Sequence, residues 1–220
     1  MSHTRQKSAP RNSKSDDLHG NAPDRSSVAL LLVDVINDLD FPQNDQLLRE
    51  SAQLAKRIAK MKQRCKQAGI PTIYVNDNHG KWRSQFPDVL KHCLRHDSPG
   101  RAMVKELVPQ ADDYIVLKPK HSPFYATPLQ LLLEYIGVKT VILAGITTNA
   151  CVMIAASDVY IRDYRLFVPS DCVAALTVRD QRNALKLMKQ NFEATTTPSG
   201  RLDLSKLLAP SLESSTHPAR

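Results

Sequence analysis

The sequence lacks the features of secreted, membrane-spanning and disulfide-stabilised proteins. Its four cysteines, Cys65, Cys93, Cys151 and Cys172, show neither CxxC spacing nor the density of a disulfide scaffold. The longest aliphatic run near the start, VALLLV, has six residues and is too short to span a bilayer. The N-terminal region has no apolar segment like that of a secretory signal. We therefore expect a cytoplasmic protein with free thiols and no membrane partner.

The excess of positive charge does not by itself indicate a nucleic-acid-binding protein. The chain has a formal net charge of +8, which can attract anions in general. Its lysines and arginines are dispersed, and over residues 56–66 they alternate with apolar positions as on the solvated face of a helix. Aromatic and basic residues are not interleaved as they are in RNA-binding segments. We expect no nucleic-acid partner. Binding of nucleic acid through the two ends of the chain is kept as an alternative hypothesis.

The composition predicts one folded domain between two tails. The 220 residues are enough for one substantial domain and few for two. Residues 1–27 are rich in serine, proline, asparagine and charge, which predicts a disordered tail. Residues 198–220 are similar and are predicted to be mostly disordered, although LDLSKLL could dock as a short helix. The domain is then expected over residues 28–197.

Short apolar runs alternate with segments of helical periodicity inside this domain. The predicted strands are SVALLLVDV, IPTIYVND, YIVLK, KTVILAG and RLFVPSD, with EATTT as a sixth edge strand. Helices are predicted over residues 44–68 and 149–164, and in PDVLKHCL, TPLQLLLEYIG and TVRDQRNALKLMKQNF. The pattern predicts an α/β, doubly wound (Rossmann-like), mostly parallel six-stranded sheet with helices on both faces. Ligands bind beyond the carboxyl ends of the strands in such sheets.

Three residues at those strand ends indicate a chemistry together that none indicates alone. Asp34 follows the first strand, Lys118 ends the third, and Cys151 follows the turn GITTNA after the fourth. Taken singly, Asp34 could cap a turn, Lys118 could reach solvent and Cys151 could pack in the core. A thiol at a helix N-terminus has a lowered pKa, which a nearby lysine would lower further. A carboxylate could then take its proton, which predicts a cysteine nucleophile.

Three segments of the sequence resemble the isochorismatase-like cysteine hydrolase superfamily. They are LLLVDVINDLDFP, VLKPKHSPFYATPLQLLLEYIGVKTVILAGITTNACV and YRLFVPSDCVAA. This superfamily includes nicotinamidases, carbamoylsarcosine amidohydrolases and ureidoacrylate or biuret hydrolases. The resemblance covers residues 28–197 and implies that Asp34, Lys118 and Cys151 form the catalytic triad. The implied function is hydrolysis of a small amide, carbamoyl or ureido substrate through a covalent thioester. The implied assembly is a homo-oligomer.

The same resemblance implies the geometry of the turn before Cys151. It places a cis peptide bond between Ile146 and Thr147. The N–H groups of Thr147 and Cys151 would then point toward one place and form an oxyanion hole.

The sequence departs from this superfamily in two places. Ile36 and Leu39 stand where several members have a glutamine and an aromatic residue. The nicotinamidase branch binds a metal through Asp-x-His and a further histidine, and this chain supplies only Asp77 and His79 in DNHGKWRSQF. Two ligands are too few for a closed zinc site. We expect no metal and no cofactor.

Other assignments leave alternatives open. Phe41, Trp82 and Phe124 are candidates for the substrate pocket, although core packing is favoured for Phe124 and a packing anchor is as well supported for Trp82. Asp171 is expected to cap the segment that follows it, and Cys172 to be structural. Two other functions stay open: a vinyl ether hydrolase of the isochorismatase type, and a metabolite-binding module without turnover.

Overall fold

A parallel sheet lies at the centre of the computed structural model, which describes residues 24–78 and 85–209. Its strands are β1 (Val28–Val33), β2 (Thr72–Asp77), β3 (Tyr114–Lys118), β4 (Thr140–Ile146), β5 (Arg165–Phe167) and β6 (Val173–Ala174). The helices are α1 (Asp45–Gln67), α2 (Phe86–Cys93), α3 (Arg101–Glu106), α4 (Leu129–Ile136), α5 (Cys151–Tyr160), α6 (Val178–Asn191) and α7 (Leu204–Leu208). Among these described helices, none is long and apolar enough to cross a membrane.

The order of the strands confirms the predicted doubly wound α/β fold. The strands run β3-β2-β1-β4-β5, with β6 beside the end of β4, and each pairing is parallel. The chain moves outward from β1 through β2 to β3, and then returns to place β4 on the other side of β1. The register there pairs Val33 with Gly145. The carboxyl ends of β1 and β4 therefore flank the switch point at which ligands bind in this class of sheet.

Alternate residues of β1 belong to two separate apolar layers. One layer contains the even-numbered residues from Val28 to Leu32 and side chains of α1, α2, α3 and α7. The other contains the odd-numbered residues from Ala29 to Val33 and side chains of α4, α5 and α6. All six residues of β1 are buried. The strand is therefore an unbroken apolar run, as expected for a strand covered on both faces.

The sixth strand is not the segment that the sequence predicts. It is Val173–Ala174, which pairs with the end of β4. The predicted edge strand EATTT contributes only an isolated bridge between Phe167 and Thr195. Glu193 has a φ of 53°, and a residue in the left-handed region interrupts an extended backbone. The segment therefore cannot pair along its length.

Two helices also differ from the prediction. Helix α5 begins at Cys151 and ends at Tyr160, whereas the periodicity predicts residues 149–164. Asp163, with a φ of 59°, turns the chain toward β5 within that predicted range. Helix α3 is absent from the prediction because its six residues are too few to show a clear period.

The chain continues to pack on the domain beyond residue 197. The backbone N–H and the Oγ of Ser199 donate to the Asp171 carboxylate, at 2.6 and 2.8 Å. Helix α7 forms within LDLSKLL and buries Leu204 and Leu207. Asp171 therefore anchors this C-terminal segment, which corrects the expectation that it caps the residues following it.

Candidate active site

The ends of β1 and β3 and the start of α5 bring Asp34, Lys118 and Cys151 together. Lys118 is fully buried, and Asp34 and Cys151 are 5% and 9% exposed. The Lys118 Nζ atom lies 3.0 Å from Asp34 Oδ2 and 3.8 Å from Cys151 Sγ. A buried ammonium group therefore contacts both a carboxylate and a thiol at the switch point of the sheet.

The Asp34 carboxylate is held through both of its oxygen atoms. Its Oδ2 pairs with Lys118, and its Oδ1 accepts a hydrogen bond from the Asp77 N–H at 2.8 Å. Asp34 has a φ of 52°, in the left-handed region that aspartate tolerates better than most residues. The backbone and both neighbours thus fix the direction of the carboxylate.

The pKa of the Cys151 thiol is shifted upward, opposite to the direction that the helix terminus and the lysine predict. Burial first, and then the negative charge of Asp34, raise this pKa to about 12, while Lys118 lowers it by less. The charge of Asp77, whose Oδ2 lies 3.6 Å from the Lys118 Nζ, raises the thiol pKa further. The pKa of Lys118 is raised although burial opposes this, because Asp34, Cys151 and Asp77 favour its charged form. The resting site therefore holds a thiol beside an ion pair.

Removing the charge of Asp34 should make the thiol more reactive toward an alkylating reagent. Asp34→Asn deletes the negative charge that raises the thiol pKa and leaves Lys118 in place. A decrease of one pKa unit would increase the thiolate fraction about tenfold at mildly alkaline pH. Labelling of Cys151 by iodoacetamide, followed by peptide mass spectrometry, measures this rate. The fully buried Cys172 should stay unlabelled in both proteins as a control for folding. Equal labelling of Cys151 in the variant would contradict the expected effect of the Asp34 charge on the thiol pKa, and slower labelling would show that Asp34 assists attack by the sulfur as a base more than its charge opposes it.

Two backbone N–H groups of the turn between β4 and α5 have no acceptor among the described residues. The peptide bond between Ile146 and Thr147 is cis. Within residues 24–78 and 85–209, neither the Thr147 N–H nor the Cys151 N–H donates to a protein acceptor, whereas the Thr148 N–H donates to Ala174 O at 2.9 Å. Two such donors next to a nucleophile can stabilise an oxyanion.

Side chains and backbone on both sides support this turn. Thr148 Oγ1 donates to Gln181 Oε1 from α6, and Gln181 Nε2 donates to Val173 O at 2.9 Å. Gly145 approaches β1 so closely, with a φ of 129°, that a Cβ atom there would lie 2.0 Å from Val33 O. A glycine is therefore required where the strand enters the turn.

His121 is a site residue that the sequence prediction missed. Its Nδ1 atom lies 3.3 Å from Cys151 Sγ. It stands three residues after Lys118 in the loop that follows β3. The sequence did contain a signal for His121, which lies in the loop directly after the candidate Lys118. Such loops line ligand sites in parallel sheets.

Only part of the hypothesised metal-binding sequence lies in the described structure. Asp77 ends β2 and contacts Lys118, whereas His79 lies outside the described residues. Among residues 24–78 and 85–209, no three His, Cys, Asp or Glu side chains are grouped to hold a metal ion. That the protein functions without a metal ion stays a prediction.

The aromatic pocket candidates occupy different places. Phe124 is 6% exposed and belongs to the layer formed with α4, α5 and α6, with the Arg162 guanidinium 4.4 Å from its ring centroid. Phe41 is half-buried and packs against the opposite layer. Trp82 lies outside the described residues. The structure therefore does not bring Phe41 and Phe124 together in one apolar cluster.

The remaining cysteines lie away from the contact of Lys118 with Asp34 and Cys151, although Cys172 has Ser199 and Asp171 as polar neighbours. Cys65, Cys93 and Cys172 are all fully buried and free. Burial raises the pKa of each to about 12. Fully buried thiols with raised pKa values are unreactive and act as packing residues.

A doubly wound sheet with its polar side chains gathered at the switch point defines an α/β protein that binds a small molecule at the carboxyl edge of its strands. The sequence model of the Isochorismatase domain matches residues 28–199, and the chain belongs to this family of hydrolases.

Named relatives agree with this assignment. The chain is 33% identical over 165 residues to the uncharacterized isochorismatase family protein YaaI of Bacillus subtilis, covering 75% of this chain and 90% of that protein. It is 28% identical over 175 residues to the ureidoacrylate amidohydrolase RutB of Methylobacterium radiotolerans, covering 68% of each. The crystal structure of N-carbamoylsarcosine amidase from Thermoplasma acidophilum is similar with a TM-score of 0.61 and 28% identity, covering 80% of this chain and 99% of that one.

Proposed function

We propose that the protein hydrolyses a small amide, carbamoyl or ureido substrate through a thioester on Cys151. The observation that carries the proposal is the contact of the buried Lys118 ammonium with both the Asp34 carboxylate and the Cys151 thiol. The similarity to an N-carbamoylsarcosine amidase and to a ureidoacrylate amidohydrolase supports this class of substrate. The homo-oligomer implied by the sequence stays a prediction.

The first half of the reaction forms the thioester. The Asp34 carboxylate takes the thiol proton as Cys151 Sγ attacks the carbonyl carbon of the substrate. The N–H groups of Thr147 and Cys151 hold the oxyanion that develops on the carbonyl oxygen. The C–N bond then breaks as Asp34 returns the proton to the leaving nitrogen. Lys118 stabilises the negative charge, which moves between the carboxylate and the sulfur atom.

The high pKa of Cys151 is compatible with this order of events. The thiolate forms only as its proton moves to the adjacent carboxylate, so the resting thiol is protected from solvent electrophiles. A thiolate derived from a thiol of high pKa is also a stronger intrinsic nucleophile than one of low pKa. The second half of the reaction adds water to the thioester, releases the acid and restores the thiol.

A substrate panel tests the proposal directly. N-carbamoyl amino acids, ureido acids and aromatic amides would be incubated with the protein while ammonia and free amine are measured. We expect release from at least one substrate, and acid quenching during turnover should trap an acyl group on the peptide containing Cys151. Turnover of a vinyl ether without such an adduct would instead indicate the isochorismatase type of reaction. Saturable binding with neither release nor adduct would indicate a binding module.

A further inference from the structure

The reacting sulfur atom has neighbouring proton-transfer groups that differ in their access to solvent. Lys118 is fully buried and Asp34 almost fully buried. His121, in contrast, is an exposed residue that places Nδ1 3.3 Å from Cys151 Sγ. Imidazole is the side chain best suited to exchange a proton near neutral pH. His121 therefore offers Cys151 a second acid–base partner, on the solvent side.

The loop that carries His121 is tied to the helix that carries the nucleophile. Ser122 Oγ donates to Asp158 Oδ2 at 2.6 Å and accepts a hydrogen bond from the Tyr125 N–H at 2.9 Å. Asp158 lies in α5 with Cys151, and their spacing of about two helical turns puts both on one face of the helix. Helix α5 therefore carries the nucleophile and holds, through Asp158, the residue next to His121.

The two halves of the proposed reaction place different demands on the acid–base groups. In the first half, Asp34 takes the thiol proton and returns it to the leaving nitrogen, which ends with Asp34 as a buried carboxylate. In the second half, the attacking water comes from solvent through the space that the amine has left. We expect this water to arrive next to His121, because His121 is the exposed partner of Sγ.

We infer that His121 is a catalytic residue of the second half-reaction, acting as the general base for the water that cleaves the thioester. Its Nδ1 takes a proton from water as the water oxygen attacks the thioester carbonyl carbon. The C–S bond then breaks, and the imidazolium returns that proton to Sγ, which regenerates the thiol and the neutral ring. The observed 3.3 Å contact is the path of this last transfer. The inference rests on the proposed thioester mechanism.

p-Nitrophenyl acetate separates the two halves of the reaction without knowledge of the natural substrate. Release of p-nitrophenol in a first-turnover burst reports acetylation of Cys151, and the later steady rate reports loss of the acetyl group. In His121→Asn, the asparagine amide can occupy the place of Nδ1 but cannot accept a proton from water. We expect an unchanged burst amplitude and a steady rate lowered roughly 10²-fold, a typical effect of losing a general base. Intact mass should show the acetylated protein accumulating.

Controls distinguish failure of this inference from failure of the proposed function. Lys120→Ala changes a charged residue in the same loop and should leave both phases as in the wild type. An unchanged steady rate in His121→Asn, or a burst and a steady rate that fall together, would overturn the role in deacylation. If the wild type forms no acetyl adduct on Cys151, the thioester mechanism itself is wrong, and the inference falls with it.

Discussion

Replacing Cys151 by alanine is expected to abolish hydrolysis of every substrate that the wild type accepts. The Sγ atom is the group that Lys118 and His121 both contact, at 3.8 and 3.3 Å. Alanine leaves these groups in place but removes the atom that would form the thioester. Loss of a nucleophile that acts with its partners as a unit typically lowers kcat by a factor on the order of 10⁴ or more.

Steady-state kinetics on the best substrate of the panel measure this loss. Cys65→Ala is the matched control, because it makes the same chemical change in a fully buried residue of α1 that lies outside the site. That variant should lose some stability and keep its activity per folded molecule. Circular dichroism should show an intact fold for both. Activity in Cys151→Ala within a factor of ten of the wild type would rule out the covalent mechanism.

Replacing Lys118 by methionine should both destabilise the protein and stop turnover. The side chain is fully buried, and its Nζ lies 3.0 Å from Asp34 Oδ2 and 3.6 Å from Asp77 Oδ2. Without it, two carboxylates face each other without a cation between them. Breaking a buried ion pair in this way costs about 3–5 kcal/mol of the free energy of unfolding. Chemical denaturation of the variant and the wild type measures the difference.

The double variant Asp34→Asn/Lys118→Met separates the two effects. It removes one positive and one negative charge, so the repulsion between the two carboxylates disappears and most of the lost stability should return. Turnover should not return, because neither the proton acceptor nor the ammonium group is present. A double-mutant cycle would then give a large coupling free energy between the two residues. Independent, additive losses of stability would show that the pair does not hold the site together.

The local sequence determined most of the secondary structure and three residues of the site, Asp34, Lys118 and Cys151. The apolar runs of β1 and β4 and the periodicity of α1 depend on residues that are neighbours in the chain, so strand and helix could be predicted from them. The same is true of Thr177, whose side chain accepts the Asp180 N–H at 3.0 Å and starts α6 as predicted. Asp34 and Lys118 lie at strand ends, and a parallel sheet brings such ends to one edge.

Only the tertiary structure decided the pKa values and the contacts of those residues. The direction of the Cys151 pKa depends on burial and on charges contributed by β1, β2 and β3, and none of these is encoded near the cysteine. The contact of His121 with Sγ and the bond of Asp171 to Ser199 join parts of the chain 30 and 28 residues apart. Pairing with β4 also makes Val173–Ala174 the sixth strand, whereas EATTT forms only an isolated bridge. Propensity and periodicity describe the free energy of one segment, whereas a pKa or a contact between segments is set by the charges and the solvent exclusion that the assembled fold creates.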